Sequence, residues 1–241
     1  MRIAAGPCAA LAFSLALSLV AVPARAADAV TDAMQAAYAP YRAALFRTNS
    51  KAQVESEQAI ARAQAEWNAL VERFASRPPA PYDRDPAVAG ALNAVADVYR
   101  KAEAEIRDKR LADAHETLEE ARDLMAELRR RNGVVVYSDH MNAYHAEMEH
   151  VLKDGPKLVD APQGMMQLMA RVGALDYLAQ RLRSEAPPAL AGEARFAASV
   201  KGVEESVAAL RTAVLNQDAA GVRAALGKLK GPYSKLFLEF G

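Results

Sequence analysis

The sequence predicts an all-α fold, an up-down bundle of about eight helices, and three observations lead there. Alanine, leucine, glutamate and arginine dominate while β-branched and aromatic residues are sparse, the composition of good helix formers. Apolar residues recur at three- and four-residue spacing through nearly every segment between proline clusters, the period of a helix with one buried face. Three short polar turns, Arg47-Thr48-Asn49-Ser50, Arg107-Asp108-Lys109-Arg110 and Asn216-Gln217-Asp218, each separate two such segments, as expected of antiparallel neighbours.

The N-terminus reads differently from the rest. Arg2 precedes an apolar stretch from about Ala9 to Val22, and Pro23-Ala24-Arg25-Ala26-Ala27 follows with small residues at the two positions a signal peptidase reads. Residues 1–26 thus have the layout of a cleavable export signal. The apolar run of roughly 14 residues falls short of the roughly 20 that cross a bilayer, and no later segment is free enough of charge to span. The expected location is the periplasm, with no membrane insertion after cleavage. The only cysteine, Cys8, leaves with the signal, so a disulfide, thiolate metal site or thioether-linked haem is not expected in the mature chain.

Helices are expected over 29–47, 51–76, 87–107, 111–131, 139–153, 163–184, 189–215 and 218–239. Pro40 should start or kink the first, and Gly231-Pro232 should bend the last. Asn49, Ser50, Asp108 and Asp218 offer side-chain oxygens to cap the helices after the three turns. Longer breaks fall at 77–86, where four prolines exclude a continuous helix, at Asn132-Gly133, between Asp154 and Pro162, and at Ala186-Pro187-Pro188. Val134-Val135-Val136-Tyr137 is too short and solitary for a sheet and reads as a buried, extended connector. Division near Gly133 gives an N-terminal bundle over 27–133 and a C-terminal bundle over 134–241, with one continuous helical array as the alternative. Packing faces are legible in Ile60, Trp67, Val71 and Phe74, in Leu111, Leu118, Met125 and Leu128, and in Leu229, Tyr233, Leu236 and Phe240.

Thirty basic and thirty acidic side chains balance, and losing Arg2 and Arg25 leaves the mature chain slightly acidic. Such a surface lacks the basic excess of a nucleic-acid binder. No Gly-rich phosphate loop follows a strand, no His-Glu-x-x-His occurs, and Glu147-x-x-His150 has no second copy of the kind di-iron bundles need. The expectation is a non-enzymatic protein. His115, flanking the apolar face of its helix, reads as a surface or boundary residue.

The stretch from Ser138 to His150 holds three of the four histidines and two of the eight methionines. At about 100° per residue, His145 lies roughly 40° and Met148 roughly 20° from Met141, so the three share a face. If the next helix returns antiparallel, its Met165 and Met169 come opposite. Thioether and imidazole donors without thiolate select a soft, singly charged copper ion. Met141, His145, Met148, Met165 and Met169 are accordingly candidate metal ligands, with core packing as the alternative for the methionines. An interaction or scaffolding module that pairs its alanine-rich helices with another envelope protein is the second functional class.

The last quarter, from Phe196-Ala197-Ala198-Ser199-Val200-Lys201-Gly202-Val203-Glu204 through Asn216-Gln217-Asp218 to Gly231-Pro232-Tyr233-Ser234-Lys235, resembles the closing hairpin of periplasmic four-helix-bundle cytochromes, the soluble b-type and cytochrome c-prime kinds. The resemblance implies a bundle fold and a periplasmic location. Those families hold haem near the end of this last helix through a histidine or Cys-x-x-Cys-His. Tyr233-Ser234 stand there instead, so haem is not expected.

Overall fold

A computed structural model describes residues 28–241; the export-signal reading of residues 1–26, with Cys8, lies outside the described residues. Asp28 opens the first helix by accepting a hydrogen bond from the Thr31 amide at 2.6 Å, which satisfies one of the N–H groups a helix start leaves unpaired. The elements are α1 (Ala29–Asn49), α2 (Gln53–Phe74), a 3₁₀ turn (Tyr82–Arg84), α3 (Val88–Arg107), α4 (Leu111–Arg131), α5 (Tyr137–Val159), α6 (Gly164–Ser184), α7 (Pro188–Ala191), α8 (Ala194–Leu215), α9 (Ala219–Leu226) and α10 (Lys230–Phe240). The fold is all-helical, with no strand among the described residues. No described helix is long and apolar enough to cross a membrane.

Four junctions share one backbone device. Lys51, Lys109 and Gln217 sit at φ of 56°, 63° and 53°, and Gly133 at 65°. The residue after each sends its N–H back to a carbonyl five positions earlier: Ala52 to Arg47 at 3.0 Å, Arg110 to Glu105 at 2.8 Å, Val134 to Arg129 at 2.9 Å and Asp218 to Ala213 at 3.0 Å. This left-handed closure satisfies the carbonyls that a helix end leaves over. It also displaces the expected caps. Asn49 is the last residue of α1, and Ser50 and Asp108 close the helices before them, while α2 and α4 begin after Ala52 and Arg110 without a side-chain cap. Asp218 alone of the four caps the helix that follows it, accepting from the Gly221 amide at 2.9 Å.

Other boundaries shift for local reasons. α5 runs through the break expected after Asp154 and carries Pro156 inside it. Gly155 is buried where a Cβ would stand 3.0 Å from Leu226, so α9 packs closely on this end of α5. The segment expected as one helix over 189–215 is split into α7 and α8. The last helix breaks at 227–229, before Gly231 and Pro232, both of which lie inside α10. Pro40 likewise lies inside α1. Val134, Val135 and Val136 form a non-helical connector with Val134 buried and Val135 exposed, and Tyr137 belongs to α5.

Helices α1 to α4 pack in a ring, each on its chain neighbour and α4 back on α1. Helices α5, α6 and α8 with the α9–α10 pair make a second ring, closed by α5 against α9 and α10. Buried apolar residues of both rings belong to one contiguous cluster. Two of its large side chains have their polar atoms tied down: Trp67 Nε1 donates to the Leu92 carbonyl at 2.8 Å and the Tyr41 hydroxyl to that of Leu118 at 3.0 Å, whereas the Tyr99 hydroxyl has no hydrogen-bond partner among the described residues. The rings meet along α1 and α10, where Arg42 donates to the Phe237 carbonyl at 2.9 Å and the Tyr38 and Phe237 rings form a T-shaped pair. A second joint is the ion pair of fully buried Arg129, at the end of α4, with Asp139 in the first turn of α5.

Candidate functional site

The candidate metal ligands separate into two surroundings. Met141 and Met148 are completely buried in the apolar core, and Met165 and Met169 on α6 are half-buried against it. His145 turns instead toward α4 and α10. Its ring stacks on Tyr233 at 5.3 Å between centroids and an 11° interplanar angle. Arg122 Nη1 lies 2.8 Å from its Nδ1. A guanidinium can only donate, so Nδ1 accepts and the proton sits on Nε2, which faces Glu149 Oε1 at 3.4 Å. Both imidazole nitrogens are thus engaged, one of them by a cation. Among the described residues no group of three or more His, Cys, Asp or Glu side chains is placed to hold a metal ion.

Arg122, His145, Glu149 and Lys230 form a chain across three helices. Lys230 Nζ stands 3.1 Å from Glu149 Oε1. The hydrogen bond from His145, reinforced by Lys230, pulls the Glu149 carboxyl down to about 2. This chain edges a cleft where α1, α4, α5 and α10 meet, lined by Leu45, Phe46 and Asn49, by His115, Glu119 and Arg122, by His145, and by Lys230, Tyr233, Ser234 and Phe237. Counted to its open mouth the cleft holds about 490 Å³ of empty space, but its interior is narrow, about 50 Å³, room for a head group of a few atoms.

The polar wall of the cleft comes from α4. His115, Glu119 and Arg122 recur at helical spacing and so share one flank. His115 Nδ1 meets the Leu45 carbonyl at 3.0 Å, which places its proton there, and its Nε2 faces Glu119 across 3.8 Å. Burial pushes the His115 imidazole below its ordinary range, with Glu119 opposing. The floor is aromatic: Tyr233 stacks on His145, Tyr144 and Phe237, and its hydroxyl donates to the Met141 carbonyl at 3.3 Å. The Tyr233-Ser234 position on the last helix is therefore packed with rings.

Sequence reasoning missed Arg122, Glu119, Glu149 and Lys230, and assigned His115 to the boundary and Tyr233 to the core. The available signal was the 115–119–122 stripe, three polar groups in register along the edge of an apolar face. A wider groove of about 660 Å³ runs between α1 and α2, but it is floored by alanines and edged by charged side chains such as Glu55 and Arg62. The cleft at α4 is where partly buried charges converge. The chain matches no known protein family, no curated protein and no solved structure.

Proposed function

We propose that this protein is an exported, non-enzymatic ligand-binding helical bundle whose ligand enters the cleft between the two helix rings. The observation that carries this reading is Arg122. Its side chain is only 13% exposed, yet its closest partner is the imidazole of His145, and its carboxylate neighbours stand farther off, Asp123 at 3.3 Å and Glu119 at 3.7 Å. A guanidinium taken this far out of water ordinarily has a carboxylate close against it, as Arg129 has. Arg122 lines an apolar-walled cleft while meeting Asp123 only through Nε at 3.3 Å and Glu119 only at 3.7 Å, with no bidentate carboxylate of the kind Arg129 has, an arrangement suited to receiving a ligand. The export-signal layout of residues 1–26 supports a location in the cell envelope, where small solutes pass.

Thermal-shift screening of the protein from residue 27 onward against a broad panel of small solutes tests this. At least one solute is expected to raise Tm in the parent and to lose that effect in Arg122→Met; silence across the panel counts against the reading. A cuprous-ion titration against a competing chelator belongs in the same experiment. Stoichiometric copper binding that Met148→Leu abolishes would replace the cleft with the methionine–histidine site. The engagement of both His145 nitrogens argues for the cleft.

A further inference from the structure

We infer that the ligand of this cleft is a free α-amino acid with an apolar side chain, an assignment that rests on the cleft being a ligand site. Two oppositely charged groups on α4 face the cleft with spare capacity. Arg122 Nη2 makes no hydrogen bond to the described residues, whose closest contacts with Arg122 run through Nη1 and Nε. Among the described residues the Glu119 carboxylate has no partner closer than 3.7 Å, with Arg122 Nη1 at that distance and His115 Nε2 at 3.8 Å. Glu149 and Lys230, by contrast, form an ion pair with one another at 3.1 Å.

A simple anion would engage Arg122 and leave Glu119 beside it as a like charge. A simple amine would do the reverse. A zwitterion satisfies both: its carboxylate takes the free edge of the guanidinium, a charge-assisted hydrogen bond, and its ammonium takes Glu119. Asn49 and Ser234, whose side chains make no hydrogen bond among the described residues, lie at the same cleft and supply neutral partners for the remaining carboxylate lone pairs. The narrow interior fits the head group. Leu45, Phe46 and Phe237 give the cleft an apolar lining for the side chain, the combination of a few placed polar groups with apolar walls that small-ligand sites use. The chemistry separates free amino acids from peptides, because a peptide terminus carries only one of the two charges.

Isothermal titration of the protein from residue 27 with L-leucine and L-phenylalanine, with 4-methylpentanoate and isoamylamine as single-charge counterparts, tests the assignment. Either amino acid is expected to bind at least tenfold more tightly than both counterparts, the value of one charge-assisted hydrogen bond. Glu119→Gln should weaken amino-acid binding at least tenfold while leaving 4-methylpentanoate binding as tight or tighter, because a like charge is removed, and circular dichroism checks that the variant keeps its helices. Equal affinity for 4-methylpentanoate and leucine, or indifference to Glu119→Gln, overturns the amino-acid assignment and leaves the cleft as a carboxylate site. Failure of every amino acid alongside an Arg122-dependent hit from the solute panel overturns only the assignment. Failure of every amino acid and of the whole panel removes the ligand site itself.

Discussion

At the scale of single residues, two arginines on α4 show how the same side chain serves opposite ends. Arg129 is fully buried and has its carboxylate: Nε donates to Asp139 at 3.1 Å, and Nη2 pairs with the other oxygen. Asp139 also accepts from the Val136 amide at 3.0 Å, so one carboxylate starts α5 and neutralises the end of α4. Arg122, seven residues earlier, leaves a guanidinium edge unspent. Removing the charge at Asp139 strands a buried cation, which costs about 3–5 kcal/mol, whereas removing both charges costs less. In urea unfolding, Asp139→Asn is expected to lose about 3 kcal/mol, and Arg129→Met combined with Asp139→Asn to recover part of that loss. A double variant at least as unstable as Asp139→Asn alone would mean that the stranded charge is not what destabilises.

At the scale of elements, the left-handed turns separate what composition reveals from what it conceals. The shared plan of the three polar turns was legible, because polar residues interrupt apolar periodicity at each. The left-handed residue was not, since the chain uses lysine or glutamine in three of the four positions and glycine only at Gly133. A side chain in that conformation costs roughly 1–2 kcal/mol, partly offset by the greater freedom glycine has in the unfolded chain. Lys109 is exposed, so Lys109→Gly is expected to stabilise by about 0.5–1 kcal/mol and to raise the urea midpoint without changing the slope. Lys109→Ala should give no such gain. The helix count and the inward faces could be read because burial writes a 3.6-residue period into the sequence. Which flank of α5 meets which neighbour could not, because that depends on how two rings of helices dock. The spacing put Met141, His145 and Met148 on one face; the docking sends the methionines into the core and His145 across to α4 and α10. The 115–119–122 stripe was visible as a pattern but had no visible partner, since Tyr233 and Lys230 lie more than a hundred positions away.

At the scale of the whole molecule, the groups at the junction of the rings set how the fold responds to acid. Burial holds the His115 imidazole below its ordinary 6.5, and burial with nearby Arg181 does the same for His140 on α5. As pH falls through 6.5 the unfolded chain takes up these protons before the native one does, so stability drops in that window. Glu149 acts lower down. Its carboxyl is held at about 2 against an ordinary 4.5, by the hydrogen bond from His145 and then by Lys230, so its contribution is present above 4.5 and is lost as pH falls toward 2. Tm is therefore expected to stay level near neutrality, to decline as pH falls below 6.5, and to decline again below 4.5, where other carboxylates add to the loss. His115→Gln should flatten the first decline and Glu149→Gln part of the second, so the difference between each variant and the parent isolates one group. A parent Tm that is constant from pH 7 to 5 would show that the native histidines take up protons as readily as the unfolded chain. That would require a cleft far more open to water than one in which the His115 ring is buried with its Nδ1 against the Leu45 carbonyl.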